Sequence, residues 1–247
     1  MRTLKLTIAY DGTNYVGWQH QLNGTSIQQL IEEAFVPLVG EAADRPGVAG
    51  AGRTDAGVHA LAQVASVNVE FALPVDAIGR ALNVRLPPDI RITAVEDQTP
   101  GFHARFNARG KTYRYRIGTT RVLSPFDRWI TWHAPEARDI AAMRAAAAAF
   151  VGTHDFASLQ ARGTTTLHTV RTIERIDLHE WEGGLIVDIA GDGFLRHMAR
   201  TIIGTLVDVG AGIRSPDQMP GIIAAKDRRV AGPTAPACGL TLMNVRY

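Results

Sequence analysis

A carboxylate and a guanidinium lie close together in a run of very small residues at positions 50–60. The run reads Gly-Ala-Gly-Arg-Thr-Asp-Ala-Gly-Val-His-Ala, and Arg53 and Asp55 are the only charged residues between Arg45 and Glu70. Small neighbours allow the backbone of another molecule to approach closely. An isolated carboxylate in this setting can act as a nucleophile, whereas the alternative is a tight turn that holds a structural Arg–Asp pair.

Nucleotide and metal sites are disfavoured by the spacing of residues. Gly50 and Gly52 lack a third glycine at the dinucleotide-binding spacing, and Val58 stands where a phosphate-binding loop requires lysine. The eight histidines are scattered, without a His-Glu-x-x-His or His-x-His pattern, and Cys238 is the only cysteine. We therefore expect no metal site and no intrachain disulfide.

Basic and aromatic residues are interleaved in residues 102–116, which read Phe-His-Ala-Arg-Phe-Asn-Ala-Arg-Gly-Lys-Thr-Tyr-Arg-Tyr-Arg. Nucleic-acid-binding proteins use this combination to contact phosphates and bases. In a strand, Tyr113 and Tyr115 share one face, and Arg114 and Arg116 share the other. The alternative is an ordinary strand with one solvated basic face.

A second basic pattern occurs where apolar periodicity predicts a helix over residues 194–209. Arg196 and Arg200 are four residues apart, so we expect them to stack on one helical face, where like charges repel by about a few tenths of a kcal/mol. A polyanion would relieve this repulsion, and so would an acidic neighbour elsewhere in the fold. The sequence Lys-Asp-Arg-Arg at 226–229 forms a further basic cluster.

The elements that must position these residues follow one another without a strict strand–helix rhythm. Residues 4–8 alternate as in a half-buried strand that ends near Asp11. Ser26 is placed to cap a helix that runs to about Leu38, and residues 111–118 are strand-like. This irregular order favours an α+β fold with mainly antiparallel sheets flanked by helices.

The length of 247 residues accommodates two domains. Thr-Pro-Gly at 99–101 is the best candidate for a hinge between them. We therefore expect an N-terminal α+β domain over residues 1–100, which carries Asp55, and a C-terminal α+β domain over residues 101–247.

The composition, with 46% hydrophobic and 20% charged residues and a net charge of +2, is that of an ordinary soluble protein. A mild basic bias permits nucleic-acid binding without demonstrating it. No apolar run approaches the roughly 20 residues that span a bilayer, and the first ten residues alternate like a strand. Together with the single cysteine, these features indicate a cytoplasmic protein with no membrane partner.

The motifs, taken together, resemble those of the tRNA pseudouridine synthase A family over nearly the whole chain. They are Tyr10-Asp-Gly-x-x-Tyr15-x-Gly17-Trp18-Gln19, Gly50-Ala-Gly-Arg-Thr-Asp-Ala-Gly-Val-His59, Phe102-His-Ala-Arg105, Tyr113-Arg-Tyr115, Phe194-x-x-His197-Met198-x-Arg200, Ala225-Lys-Asp-Arg228 and Gly239-Leu-x-Leu242. Several independent motifs in the right order are far more specific than any one of them.

The resemblance implies an isomerase that breaks the N1–C1′ glycosidic bond of a uridine in tRNA, turns the base and rejoins it through C5. It further implies the pseudouridine synthase fold with two similar α/β subdomains, a homodimer, and a substrate in the anticodon stem-loop at tRNA positions 38 to 40. It places the catalytic aspartate on Asp55 and the substrate-contacting tyrosine on Tyr113. Because no redox step or group transfer occurs, neither a cofactor nor a metal is required.

This chemistry suggests roles for the remaining candidate residues. Asp55 could attack C1′ or the uracil ring, or remove a proton from C2′. Arg53 would form an ion pair that keeps Asp55 ionised, and it could fill the space left by a flipped-out base. His59 is a candidate substrate-binding residue. The candidates for phosphate contacts are Arg105, Arg114, Arg196 and Arg200.

Two other functions are compatible with the same residues. One is a tRNA-binding protein without catalytic activity, although an acid that faces phosphate would then weaken binding without benefit. The other is a hydrolase of glycosidic bonds, which would need a second carboxylate about the scissile bond. Asp11 is the only nearby candidate for that second carboxylate.

Overall fold

The chain divides into two compact units in the computed structural model, which describes residues 1–39, 45–164, 166 and 168–247. Unit 1 comprises Met1–Arg109 and Thr241–Tyr247, and unit 2 comprises Gly110–Leu240. These units differ from the domains expected over 1–100 and 101–247, because residues 101–109 and the C-terminal strand belong to unit 1. Backbone hydrogen bonding accounts for this, since the amide of Arg109 donates to the carbonyl of Arg246 at 2.8 Å.

Strands and helices are mixed along the described residues, as expected for an α+β fold. They are β1 (Arg2–Tyr10), α1 (Ile27–Val39), β2 (Ala49–Gly50), β3 (His59–Val69), α2 (Val75–Arg85), β4 (Ile90–Gln98), β5 (Gly110–Gly118), β6 (Trp132–His133), α3 (Ile140–Ala148), β7 (Gly152–Asp155), β8 (Val170–Trp181), β9 (Gly184–Gly191), α4 (Met198–Gly210), α5 (Met219–Ala225) and β10 (Leu240–Arg246). Within each unit the long pairings are antiparallel, and only the short pairings β3–β10 and β5–β6 are parallel. The predicted class, mainly antiparallel sheets flanked by helices, is confirmed.

Unit 1 is built on a sheet in which β1 lies between β4 and β3, and β10 follows β3. The alternating residues of β1 explain its place between two strands, because every second side chain from Leu4 onward is buried. Helix α2 packs against β4, and α1 packs against α2. Fully buried side chains of this core include Leu4, Leu6, Ile8, Ile27, Ile31, Phe35, Ile78 and Leu82.

Unit 2 is built on neighbouring strands in the order β5, β9, β8, β7. Helix α3 packs against α4 and β8, and α5 packs against β7. Helix α4 presents apolar residues at helical spacing to this core, as its sequence pattern predicts. Fully buried side chains of this core include Tyr115, Ile117, Met143, Val187, Ile189, Met198, Ile202 and Leu206.

The two predicted helix starts differ in their outcome. The prediction for α1 is confirmed, because the helix begins at Ile27 and the backbone amide of Gln29 donates to Oγ of Ser26 at 3.3 Å. The start predicted at residue 194 is wrong, because α4 begins at Met198. His197 has φ 63° and ψ 0°, a left-handed conformation that cannot continue a helix.

The helices of the described residues are short. The longest, α1 and α4, contain 13 residues each. A helix needs about 20 apolar residues to cross a bilayer, and none in the described part of the chain is long and apolar enough to do so.

Candidate active site and basic surfaces

The Asp55 loop, residues 51–58, connects β2 to β3 in unit 1 and is anchored at its first residues. Ala51 donates its backbone amide to the carbonyl of Val64 at 2.7 Å, which extends the β2–β3 pairing into the loop. The side-chain amide of Gln63 donates to the carbonyl of Gly52 at 2.9 Å. The loop therefore leaves the sheet in a defined direction before it reaches Asp55.

A second segment, residues 10–19, braces the Asp55 loop through its backbone. The amide of Trp18 donates to the carbonyl of Thr54 at 3.1 Å, and Gly17 forms an isolated antiparallel bridge with Asp55. Within the loop, the amide of Val58 donates to the carbonyl of Asp55 at 3.1 Å. The structure thus brings together the two motifs that the sequence places 40 residues apart (residues 10–19 and 50–59).

Two glycines make this close backbone approach possible. Gly17 has φ +104°, and a Cβ atom there would lie 2.5 Å from the carbonyl oxygen of Thr54. A Cβ atom on Gly12 would lie 2.0 Å from the carbonyl oxygen of Val58. Any side chain at either position would push the Asp55 loop out of place.

A buried hydrogen bond holds the residue before Asp55. The hydroxyl groups of Tyr10 and Thr54 lie 2.7 Å apart, and both side chains are buried. Burial raises the pKa of Tyr10 to about 12, so the phenol stays protonated at neutral pH. Asp55 itself is only partly buried. The arrangement holds the backbone of Asp55 in place, while its carboxylate remains accessible to solvent.

Arg53 does not form the ion pair with Asp55 that we expected. Its guanidinium is exposed, and Nε donates to Oε1 of Gln19 at 2.9 Å. No ion pair between Arg53 and Asp55 occurs in the part of the chain that the structure describes. Proximity in sequence does not set the direction of a long side chain in a loop, and here a neutral amide provides the acceptor.

His59 is 4% exposed at the start of β3. Its Nδ1 accepts a hydrogen bond from the backbone amide of Gly12 at 3.1 Å and lies 3.1 Å from Oδ1 of Asp11. Partial burial would raise the pKa of Asp11, but hydrogen bonds from Thr13 and the neighbouring His59 lower it overall. This placement favours a bracing role for His59, and its contact with substrate stays a prediction.

Arg105 lies in an exposed turn of unit 1. The turn is anchored by the buried residue Ala104. Its backbone amide donates to Oγ of Ser66 at 3.1 Å, and its carbonyl accepts a hydrogen bond from the Tyr247 hydroxyl at 2.8 Å. The neighbouring Phe106 is 77% exposed. The turn therefore presents a guanidinium and an aromatic ring to solvent, and a phosphate contact by Arg105 stays a prediction.

Strand β5 has the two faces that its sequence predicts. Tyr113 is 8% exposed and its ring packs edge-on against Phe194, with 4.9 Å between the ring centroids. Tyr115 is fully buried, and its hydroxyl donates to the carbonyl of Pro236 at 2.7 Å. Tyr115 therefore belongs to the core of unit 2, whereas Tyr113 keeps a small exposed fraction, and its contact with substrate stays a prediction.

The arginine face of β5 carries structural ion pairs. Arg114 lies directly opposite Asp188 in the β5–β9 register and donates two hydrogen bonds to its carboxylate, each of 2.8 Å. Arg116 donates to Asp127 at 3.0 Å and lies over the ring of Trp181. Because both guanidinium groups are committed within unit 2, the expectation that Arg114 contacts phosphate is not supported by its geometry.

The expected stacking of Arg196 and Arg200 on one helical face is wrong. Arg196 precedes α4 and is exposed, whereas Arg200 lies in its first turn. Nε of Arg200 donates to the carbonyl of Ala235 at 2.7 Å, and the amide of Ala235 donates back to the carbonyl of Arg200 at 3.1 Å. The two arginines therefore differ in role, since one fastens the chain near Ala235 and the other faces solvent.

Unit 2 also contains an open pocket of about 470 Å³, which we call the arginine pocket. Its lining includes Arg162, Arg196, His197, Arg228, Arg229 and Thr234. The sequence did indicate basic residues at 226–229, but it did not indicate Arg162, which lies in a loop without periodicity. Only the spacing of cations in three dimensions could have revealed this group.

The described residues contain no group of three or more His, Cys, Asp or Glu side chains that could hold a metal ion. What the geometry supplies instead is one accessible carboxylate on a braced loop in unit 1, and a concentration of guanidinium groups in unit 2. Carboxylates of this kind serve as nucleophiles, and guanidinium groups bind phosphate.

Comparisons with known proteins connect these features. A family model described as tRNA pseudouridine synthase matches residues 6–107 and 146–247. A tRNA pseudouridine synthase A from Pelobacter propionicus is 47% identical over 248 residues, covering 100% of this chain and 100% of that protein. A tRNA pseudouridine synthase A 1 from Protochlamydia amoebophila is 45% identical, covering 100% of this chain and 97% of that protein. A tRNA pseudouridine synthase A from Geobacter sulfurreducens is 42% identical, with full coverage of both chains.

Proposed function

The chain belongs to the tRNA pseudouridine synthase family, and we propose that it isomerises uridine to pseudouridine in tRNA with Asp55 as the nucleophile. The observation that carries this proposal is the bracing of the Asp55 loop by residues 10–19. A nucleophile must be held within a fraction of an ångström of its target, and a fixed backbone with an accessible side chain meets that need.

The reaction rearranges bonds within one nucleotide. The N1–C1′ bond of uridine breaks and a C5–C1′ bond forms. C5 loses its proton to solvent and N1 gains one, so the mass of the nucleotide is unchanged. Asp55 could attack C1′ or the uracil ring, or remove a proton from C2′, and all three routes need an ionised carboxylate that can later be released. Tyr113 is the proposed contact for the base, as the resemblance implies.

Arg53 is proposed to act when the base leaves the RNA stack. A uridine in a stem must be extruded before its sugar can be reached, which leaves a gap in the helix. The exposed guanidinium of Arg53 is held only by the neutral side chain of Gln19 in the described residues. This weak attachment supports a role in which Arg53 moves into the gap.

The proposed substrate region is the anticodon stem-loop, with uridines at tRNA positions 38 to 40. Arg105 is exposed in a turn beside Phe106, and such a pair suits contact with an RNA backbone. If phosphate contacts dominate affinity, the association constant should fall steeply as the salt concentration rises. A flat response between 50 and 200 mM salt, roughly the range over which such contacts are lost, would contradict these contacts.

The proposal includes self-association into a homodimer, which the resemblance implies. The connection after β5 exposes three large apolar side chains, Val122 (77%), Phe126 (91%) and Trp129 (49%). Exposed apolar groups of this size favour burial against a partner. Analytical ultracentrifugation tests this: we expect a dimer for the parent protein, dissociation for Phe126→Glu, and no change for Val84→Glu on α2.

A cytoplasmic location is part of the same proposal. It follows from the presence of tRNA there and from the single cysteine of the chain. Cell fractionation with antibody detection tests it, and recovery of the protein in the membrane fraction would contradict it.

The decisive experiment is incubation of the protein with unmodified tRNA, followed by mapping of pseudouridine at each position. We expect new pseudouridines at positions 38 to 40 with no change in the mass of the RNA. Release of free uracil would instead favour a glycosidic hydrolase. Asp11, the other carboxylate of the motif, is already engaged by Thr13 and His59, which argues against that reaction.

A further inference from the structure

The arginine pocket concentrates positive charge in unit 2. Its lining, which lies in the described part of unit 2, contains four arginines and no Asp or Glu. The arginines come from three places in the chain: the loop at 161–162, the turn before α4 and the segment 228–234. Convergence of cations from distant segments is typical of an anion site, because folding alone would favour keeping them apart.

Three of these arginines are not held by carboxylates. Arg162 and Arg196 form no ion pair within the described residues, and the hydrogen bond of Arg228 goes to the neutral Oγ1 of Thr234 at 3.0 Å. Burial and the neighbouring Arg162 lower the pKa of Arg228, so these like charges repel each other. An anion in the pocket would remove that repulsion.

Two neighbouring cations in the same segment, Lys226 and Arg229, are paired with carboxylates. Nζ of Lys226 lies 2.8 Å from Oδ2 of Asp155, and Arg229 forms an ion pair with Asp227 at 2.6 Å. Hydrogen bonds from Arg229 lower the pKa of Asp227 to about 2, and the charge of Arg162 adds a smaller effect in the same direction. This carboxylate is therefore ionised, and its hydrogen bonds go to Arg229. Arg228 lies between these two cations in the sequence, but its hydrogen bond goes to the hydroxyl group of Thr234 and not to a carboxylate.

The wall of the pocket is closely packed against α4. A Cβ atom on Gly232 would lie 2.6 Å from Cα of Thr205, and the amide of Gly232 donates to Oγ1 of Thr205 at 3.0 Å. A Cβ atom on Gly204 would lie 1.9 Å from the carbonyl oxygen of Pro233. The segment 231–235 is therefore packed tightly on α4, and a ligand would meet a preformed surface.

We propose that the arginine pocket of unit 2 binds a phosphate group of the tRNA backbone, with Arg162, Arg196 and Arg228 as its ligands. This inference rests on the proposed function, because it takes the anion from the tRNA substrate. The pocket is open to solvent and its lining contains no Phe, Tyr or Trp, so it lacks a platform for a base. It therefore positions the RNA without reading its sequence.

The start of α4 contributes to the same site. His197 lines the pocket and directly precedes the first residue of that helix. The amide groups at a helix N-terminus carry a partial positive charge, which adds to the field of the arginines.

The test measures binding of a synthetic anticodon-arm RNA by variants made in an Asp55→Asn background, which prevents turnover. We expect Arg162→Gln and Arg196→Gln each to raise the Kd by about tenfold. Each should also reduce the slope of log K against log salt by about 0.7 to 0.9. The matched control is Arg175→Gln, which removes an exposed arginine of β8 that is paired with Asp177 and should change the Kd less than about twofold.

A double-mutant cycle identifies the phosphate. RNAs with a neutral methylphosphonate at one position at a time are bound to the parent and to Arg162→Gln. We expect one or two neighbouring RNA positions at which the methylphosphonate already weakens binding. At those positions Arg162→Gln should not raise the Kd any further. Thermal unfolding of each variant checks the fold, and Arg162→Lys should recover part of the affinity because it keeps the charge.

The inference is overturned if Arg162→Gln, Arg196→Gln and Arg228→Gln bind RNA as Arg175→Gln does and no methylphosphonate couples to them. Pseudouridine formation by the parent enzyme would be untouched by that outcome. Conversely, if the parent forms no pseudouridine but the couplings are present, the proposed function fails while the phosphate site is supported.

Discussion

The Asp55 loop and the arginine pocket are built in opposite ways. The loop is short, its neighbours are small, and backbone hydrogen bonds and glycine contacts hold it in place. The pocket is formed by long side chains that extend from three separate segments. A carboxylate that must meet one atom needs a fixed backbone, whereas a charge that attracts phosphate acts over several ångströms and tolerates a flexible side chain.

This difference predicts how each region should respond to substitution. Changes in the Asp55 loop should reduce the rate of the chemical step with little effect on RNA affinity. Changes in the arginine pocket should reduce affinity and leave the rate at saturating RNA almost unchanged. The separation of the two effects is what the following substitutions test.

The largest expected effect is that of Asp55→Ala. Removal of the proposed nucleophile should reduce kcat by at least about a thousandfold, because alanine cannot act as a nucleophile or as a base. The Kd for tRNA should change by less than about threefold. Single-turnover pseudouridine formation and filter binding measure the two quantities. Asp76→Ala, an exposed carboxylate of α2, is the control, and full activity of Asp55→Ala would show that Asp55 is not the nucleophile.

Gly17→Ala should have the next largest effect. The new Cβ atom must displace the carbonyl of Thr54, which lies 2.5 Å away, and the residue must keep φ +104°. We expect about a hundredfold loss of kcat from the shift of Asp55, and about 2 kcal/mol less stability. Gly47→Ala is the control, because nothing lies within 4 Å of its Cβ position. Equal activity of the two variants would contradict the bracing of the Asp55 loop by residues 10–19.

Gly232→Ala is the counterpart in the arginine pocket. A Cβ atom there meets the backbone of Thr205 at 2.6 Å, so the segment that carries Thr234 must shift. We expect the Kd for anticodon-arm RNA to rise by about tenfold, with kcat at saturating RNA within about twofold of the parent. Gly221→Ala, which has open space at its Cβ position, serves for comparison. A loss of kcat in Gly232→Ala would break the contrast between the two regions.

Tyr10→Phe asks whether side-chain bracing of the Asp55 loop matters as much as backbone bracing. The substitution leaves the hydroxyl of Thr54 without its buried partner, which should cost about 1 to 2 kcal/mol of unfolding free energy. Because the backbone contacts remain, we expect kcat to fall only a few-fold. Urea unfolding and steady-state kinetics measure the two effects, and a loss of kcat as large as that of Gly17→Ala would contradict this ranking.

The smallest expected effect concerns pH. Hydrogen bonds from Lys226 and Thr169 lower the pKa of Asp155. Its contribution to stability is therefore present above the unfolded pKa of about 4 and is lost as the pH falls through the lower folded pKa. Asp155→Asn should be less stable than the parent at pH 7, and the difference should shrink by about pH 3. Urea midpoints at both pH values check this, and a difference that grows in acid would contradict the sign.

Local patterns in the sequence predicted much of the fold. Alternation in residues 4–8 predicted β1, and Ser26 predicted the start of α1. The buried face of β5, with Tyr113 and Tyr115, also followed from alternation. These predictions hold because strand faces and helix caps depend on residues within a few positions of each other.

Local patterns could not predict events that depend on distant residues. The helix predicted from residue 194 begins four residues later because His197 adopts a left-handed conformation. Arg53 pairs with Gln19, which is 34 residues away in the chain, instead of with nearby Asp55. Arg114 is neutralised by Asp188 on the next strand of its sheet.

The sequence by itself determined the family, the α+β class and the candidate carboxylate, because each rests on residue types in a fixed local order. Only the tertiary structure decided that residues 10–19 hold Asp55 in place and that Arg162 joins Arg196 and Arg228 around one pocket. The physical reason is that long side chains choose partners by distance in space. That distance is set by the packing of segments that the sequence keeps far apart.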